Sequence, residues 1–466
     1  MSPTDPPAQP LFVPGPPFPK AYGVTAALAL GLGLAGGFAA GLYALGGPAF
    51  GWPAPGYAPL VQAHGQVQTL GLAGLLILGV GGILLPGFWR VHLARPGAIP
   101  LGGGLVSLGL LAQLIGQPLA PGAARTTLLL VATVLPMLGF AWGGAALAGP
   151  RLTRARQPAS ARLPTPAPGR APAVAASPTA PLEPWEGLLL LGAASLAVAL
   201  LLRAAVLLDL ARSGLPASFG VSHQLLVMLE LDGFLLAATV GVQLRLLPSL
   251  ARTRPVPGRT EWIGAALLAL AVLCRAIGLA LPVQPLVDAA NWLAVIALLV
   301  LFWATGLGRA GLPRTVQAPA TLLPGRTRVV LRGAWGGLLL SQLGRALGLL
   351  PPDATTHAFT SAYLIPLILV VGLRMLPRVS AYPVRFPRLS GALIWAGVLG
   401  GFLRAFGELL GGQTGWQAAW IGGGLLTLAL LVFAALCWSP WGVPTGAPRT
   451  PEVIAAYRAQ SPRPKT

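Results

Sequence analysis

Apolar runs long enough to cross a bilayer recur through nearly the whole chain, and this constrains the fold more than any other feature. A spanning helix needs about 20 mainly apolar residues. Runs of that kind lie near 22–46, 61–86, 99–120, 126–149, 185–210, 219–247, 261–282, 288–308, 329–350, 357–376, 389–411 and 416–438. Only 9% of the 466 residues are charged, against roughly 25% in a soluble domain. A chain this poor in charge has no means of solvating twelve such segments in water. The expected fold is an all-α polytopic membrane protein of about 12 transmembrane helices, in contact with the lipid bilayer. The run that follows the Pro-rich first 21 residues is too long for a signal-peptide core, so it is read as an uncleaved first span.

The formal charge of +20 suggests nucleic acid at first sight, but its distribution excludes that class. Arginines gather in short loops after the even-numbered runs: Arg90 and Arg95, then Arg151, Arg154, Arg156, Arg162 and Arg170, then Arg252, Arg254 and Arg259. Arg309, Arg314, Arg326, Arg328, Arg378, Arg385 and Arg388 continue the pattern, with Arg125 and Arg212 as exceptions. This is the signature of cytoplasmic loops, not of a basic face for phosphates. It places both termini in the cytoplasm. Heavy use of Ala, Gly, Leu, Pro and Arg fits a bacterial gene, hence a bacterial inner membrane. The expected organisation is a cytoplasmic tail (1–21), a four-helix unit (22–149) and a Pro/Ala/Arg-rich linker (150–183). A second four-helix unit (184–310), a loop (311–328), a third unit (329–438) and a tail (439–466) follow.

Three of the four histidines open runs that close on Leu-Pro: His64 to Pro86, His223 to Pro248 and His357 to Pro377. These are the second, sixth and tenth spans, so the chain reads as three pseudo-repeats of four helices. The intervals are similar but unequal, at 22, 25 and 20 positions, and the longest suggests a partial extra turn or a bulge. The pattern predicts three imidazoles at one structural address and at the same depth. Imidazole is the commonest metal ligand, so His64, His223 and His357 are candidate metal ligands. His92 lies between loop arginines and reads as a solvated side chain.

Arg203, Arg275, Arg345 and Arg404 lie within odd-numbered spans, near the same end as the histidines. A buried guanidinium needs an anion or a carbonyl. Nearby acids are few: Asp209, Asp288, Asp353 and Glu408. Haem propionates are natural partners, because Arg binds carboxylates bidentately, and neutral imidazoles beside such a ring would suit haem b. The same arginines could instead snorkel to headgroups. Glu230 and Asp232 lie inside the sixth span. Glu230 is on nearly the face of His223 and roughly 10 Å deeper. It could relay protons or serve as a structural hydrogen-bond partner. Nucleotide-binding and zinc-protease motifs are absent, as is the CxxCH of covalent haem attachment.

The stretches His64-Gly-Gln-Val-Gln-Thr-Leu-Gly71 and His357-Ala-Phe-Thr-Ser-Ala-Tyr363, set in twelve spans of three fours, resemble subunit I of the haem–copper oxidases. They are more similar still to the NnrS family of bacterial membrane proteins associated with nitric-oxide stress. The resemblance implies His64 and His357 as haem ligands and His223 as a ligand to copper or a second metal. It also implies NO or a redox partner. The chain departs from the oxidases in lacking a His pair on the seventh span and in having Phe at 359. Four histidines do not suffice for two haems and a three-histidine copper, so terminal oxidase activity is not expected. In the second span Gln66 stands where NnrS proteins carry another His. The rival readings are a transporter or channel for a small anion and a cofactor-free scaffold.

Overall fold

A computed structural model describes residues 20–51, 56–89, 93, 95–154, 182–251, 253, 258–309, 324–380 and 387–442. The linker (155–181), both tails, the 310–323 loop and His92 lie outside the described residues. Within them the chain is helical, with no strand. The helices are α1 (20–50), α2 (57–89), α3 (Ala98–Gly116), α4 (Ala123–Arg154), α5 (Pro184–Ser213) and α6 (221–250). Then come α7 (Gly258–Ala280), α8 (Gln284–Ala304), α9 (Pro324–Ala346), α10 (352–380), α11 (Pro387–Phe406) and α12 (Gly412–Gly442). Eleven of them are long and apolar enough to cross a membrane, so the chain has the architecture of a multi-pass membrane protein. The exception is α9, where Arg332, Gln342 and Arg345 dilute an otherwise apolar run.

The packing repeats every four helices. The first helix of each four lies on the second: α1 on α2, α5 on α6 and α9 on α10. The third lies on the fourth: α3 on α4, α7 on α8 and α11 on α12. Each fourth helix meets the next first helix, α4 on α5 and α8 on α9, and α12 returns to α1. Small residues allow the tightest of these contacts. A Cβ on Gly102 would stand 2.5 Å from the Gly139 carbonyl oxygen, so α3 and α4 touch backbone to backbone.

The three histidine-bearing helices form the centre. In α2, α6 and α10 the buried share of the most apolar stretch is 72%, 83% and 67%, against 33–56% in the other spans. Each contains a π-helical segment, Val67–Gly74, Leu229–Leu236 and Ala358–Leu364, and a fourth occupies Leu32–Phe38 of α1. Such segments are rare and cluster at functional sites.

The π segments correct the histidine alignment. The intervals from Val67 to Pro86, Leu229 to Pro248 and Ala358 to Pro377 are equal, at 19 positions. Measured from the π opening, His64 stands three residues before it, His223 six and His357 one. The histidines share an end of the molecule but not one address. At 1.5 Å per residue, His223 lies about 4.5 Å nearer the end than His64, and His357 about 3 Å deeper. The expected bulge is present in all three helices, not in the sixth alone.

Candidate functional site

The polar side chains of the inner helices form three clusters at the histidine end. The first joins α2, α10 and α11. The His64 ring packs against α1, where Gly41 leaves room for it: a Cβ there would stand 2.6 Å from Cε1. Its Nδ1 meets the Gly37 carbonyl oxygen, which can only accept, so Nδ1 carries the proton and Nε2 keeps a lone pair. His64 is close enough to His357 and Arg404 for their charges to interact. The Arg404 guanidinium donates to His357 Nε2 at 2.6 Å. Asp353 completes the cluster, 3.4 Å from His357 Nε2 and 3.5 Å from Arg404.

His223 is not with them. It belongs to a second cluster, a continuous chain of hydrogen bonds through α2, α3, α5 and α6. The Gln62 amide donates to His223 Nδ1 at 3.0 Å and to the Ser218 carbonyl at 2.7 Å. Gln117 donates to Gln62 at 2.6 Å, and Gln113 to Gln117 at 2.9 Å. Arg203 donates to Gln113, to Gln66 at 2.9 Å and to the Ala132 carbonyl at 2.6 Å. Gln66 donates to Glu230 at 2.8 Å, and Thr69 joins the same carboxylate oxygen at 3.2 Å. Arg203 has no acceptor atom, so it fixes the direction of every amide on either side of it. Both ends of the chain accept: the Glu230 carboxylate and His223 Nδ1. His223 therefore carries its proton on Nε2. The other Glu230 oxygen is buried with no hydrogen-bond partner.

The third cluster joins α6, α7 and α9. Arg275 and Arg345 both donate through Nη1 to one oxygen of Asp232, at 2.6 and 2.7 Å. Gln342 lies 3.4 Å from the other oxygen and accepts from Arg345 at 3.2 Å.

All four arginines singled out in the sequence therefore have acceptors within the chain. A shortage of carboxylates was the ground for expecting propionates. Glutamine oxygens and a carbonyl make up that shortage at Arg203, and Asp353 and an imidazole do so at Arg404, whereas Arg275 and Arg345 share the single carboxylate of Asp232. The Glu408 side chain lies outside the described residues.

A further buried group was not anticipated. Gln243 of α6 donates to the Tyr363 hydroxyl of α10 at 2.6 Å and accepts from Trp335 of α9 at 2.9 Å. The sequence offered one signal, a glutamine inside an apolar run two residues before Arg245.

As a metal site the arrangement is selective. Among the described residues no three His, Cys, Asp or Glu side chains converge as metal ligands. His64 fits a ligand role through Nε2, braced by its carbonyl acceptor. His357 could ligate through Nε2 only by giving up the Arg404 hydrogen bond. His223, with Nδ1 accepting and Nε2 protonated, does not fit as it stands. No family model matches the chain, and no curated protein matches it either.

Proposed function

We propose that this is a multi-pass protein of the bacterial cytoplasmic membrane, both termini cytoplasmic, that binds a b-type haem at the histidine end. In this reading it resembles the NnrS type, with the oxidase subunit I arrangement of helices, and serves nitric-oxide or redox stress tolerance. The observation that carries the reading is the posture of His64, whose Nδ1–H is committed to Gly37 while Nε2 keeps its lone pair for a ligand role. His64 would hold the iron through Nε2, and His357 could join it only by giving up the hydrogen bond from Arg404. Haem would supply an iron that exchanges electrons when both histidines bind it and that can take NO when only His64 does. Copper is not part of this proposal, because His223 faces an amide donor.

Optical spectra of detergent-purified protein from haem-supplied cells test it. The expected result is a Soret band and sharp reduced α-bands. His64→Ala abolishes them, and Gly41→Ala weakens them by crowding the ring. His357→Ala keeps the Soret band but converts the spectrum to a five-coordinate form that shifts with NO. His223→Ala changes neither. A preparation with no Soret band and no stoichiometric iron refutes the reading. The second reading, a small-anion transporter or channel, then leads. It is favoured by the charged groups set along π-interrupted inner helices, and the cofactor-free scaffold would follow.

A further inference from the structure

The third cluster does not balance its charge. Arg203 is matched by Glu230 through Gln66, and Arg404 reaches Asp353. Asp232 alone faces two guanidiniums, and among the described residues no second carboxylate lies within ion-pair distance of either. The side chains are only 19%, 15% and 9% exposed for Arg275, Arg345 and Asp232. An excess positive charge at that burial is costly unless an anion joins it.

The free donors indicate what the anion looks like. Arg275 spends Nη1 on Asp232, while its Nε–H is buried with no partner. Nε–H and Nη2 form one edge of the guanidinium, and that edge meets no protein acceptor among the described residues. Two parallel N–H donors on a planar cation match two oxygens of a planar anion. Access is short: Arg345 stands one residue and Arg275 five from the ends of their helices at the histidine end.

We propose that Arg275 and Arg345, bridged by Asp232, form a binding site for a planar monovalent oxyanion or carboxylate. Asp232 sets the affinity by cancelling one of the two charges, which leaves a site for one negative charge. The site is built on α6, α7 and α9 and shares no residue with the His64 and His357 cluster.

The test is the line width of the chloride NMR signal with the purified full chain, displaced by nitrate or formate at constant ionic strength. Wild-type protein is expected to broaden the line, and nitrate and formate to narrow it. Arg275→Gln leaves a neutral Arg345–Asp232 pair and should abolish the displaceable broadening. Asp232→Asn leaves two cations and should tighten nitrate binding by at least about tenfold, because a negative charge is removed from beside the anion. A structural role alone would move both variants the same way, whereas the anion site moves them in opposite directions. Size-exclusion profiles establish that each is folded. Saturating haem separates the two sources of such an anion. Persistent broadening means a free solute anion occupies the site, and its loss on haem addition means a cofactor carboxylate does. Broadening in Arg275→Gln equal to wild type, or weaker nitrate binding in Asp232→Asn, overturns the proposal.

Discussion

At the residue scale, the most consequential side chain is Arg203. It is 1% exposed and donates to three acceptors on three helices, and through Gln66 it compensates Glu230. Arg203→Met would strand a buried carboxylate and two amide oxygens. Removing one partner of a buried charge pair costs roughly 3–5 kcal/mol, so thermal unfolding in detergent should fall sharply. Arg203→Lys should recover little, since an ammonium on a thinner stem does not reproduce the planar three-way reach. Arg203→Met with Glu230→Leu should recover a substantial part, because no charge is then left alone. A double variant no more stable than Arg203→Met would show that Glu230 does not depend on this cation. These partnerships were the least legible part of the sequence. The arginines, Glu230 and Asp232 could be picked out as charges in apolar runs. Three of their actual partners, Gln66, Gln113 and Gln342, are uncharged and could not be told apart from ordinary packing residues.

At the scale of the element, helix positions were readable because length and apolarity are local properties, and eleven of twelve expected spans meet both. The π segments were not readable in the same way. They contain no proline, and only the unequal His-to-Pro intervals hinted at them. Their shared register against Pro86, Pro248 and Pro377 explains why those intervals misled: the constant feature is the π opening, and the histidine is what shifts. Deleting one residue within 358–364 should let an ordinary α-helix form there and leave His357 nearly in its present orientation to the rest of α10, because six α-helical residues turn about as far as seven in the wider π turn. On the haem reading, the variant should keep the bis-histidine spectrum while remaining monodisperse. A five-coordinate spectrum like that of His357→Ala would mean that the π turn itself positions His357.

At the scale of the whole molecule, the orientation proposed from the arginine distribution can be checked directly. Ser213→Cys, at the exposed histidine-end terminus of α5, should react with a membrane-impermeant maleimide in intact cells. Ser177→Cys in the linker should react only after permeabilisation. The reverse pattern would invert the topology and place the candidate site on the cytoplasmic side. Cys274 and Cys437 should be replaced first to remove background labelling.

The contact between α12 and α1 bears on how the molecule is made. Trp420 donates to the Leu42 carbonyl and packs edge-on against Phe50, and Gln413 reaches the Ala49 carbonyl. Ribosomal synthesis delivers helices in order, so the first to leave the translocon waits for the last before this seam can close. Throughout that interval the α12-facing side of α1 borders lipid, and the Gly37 and Gly41 shelf that holds His64 rests on an unfinished wall. Chains arrested before α12 should therefore be the ones that quality-control proteases find.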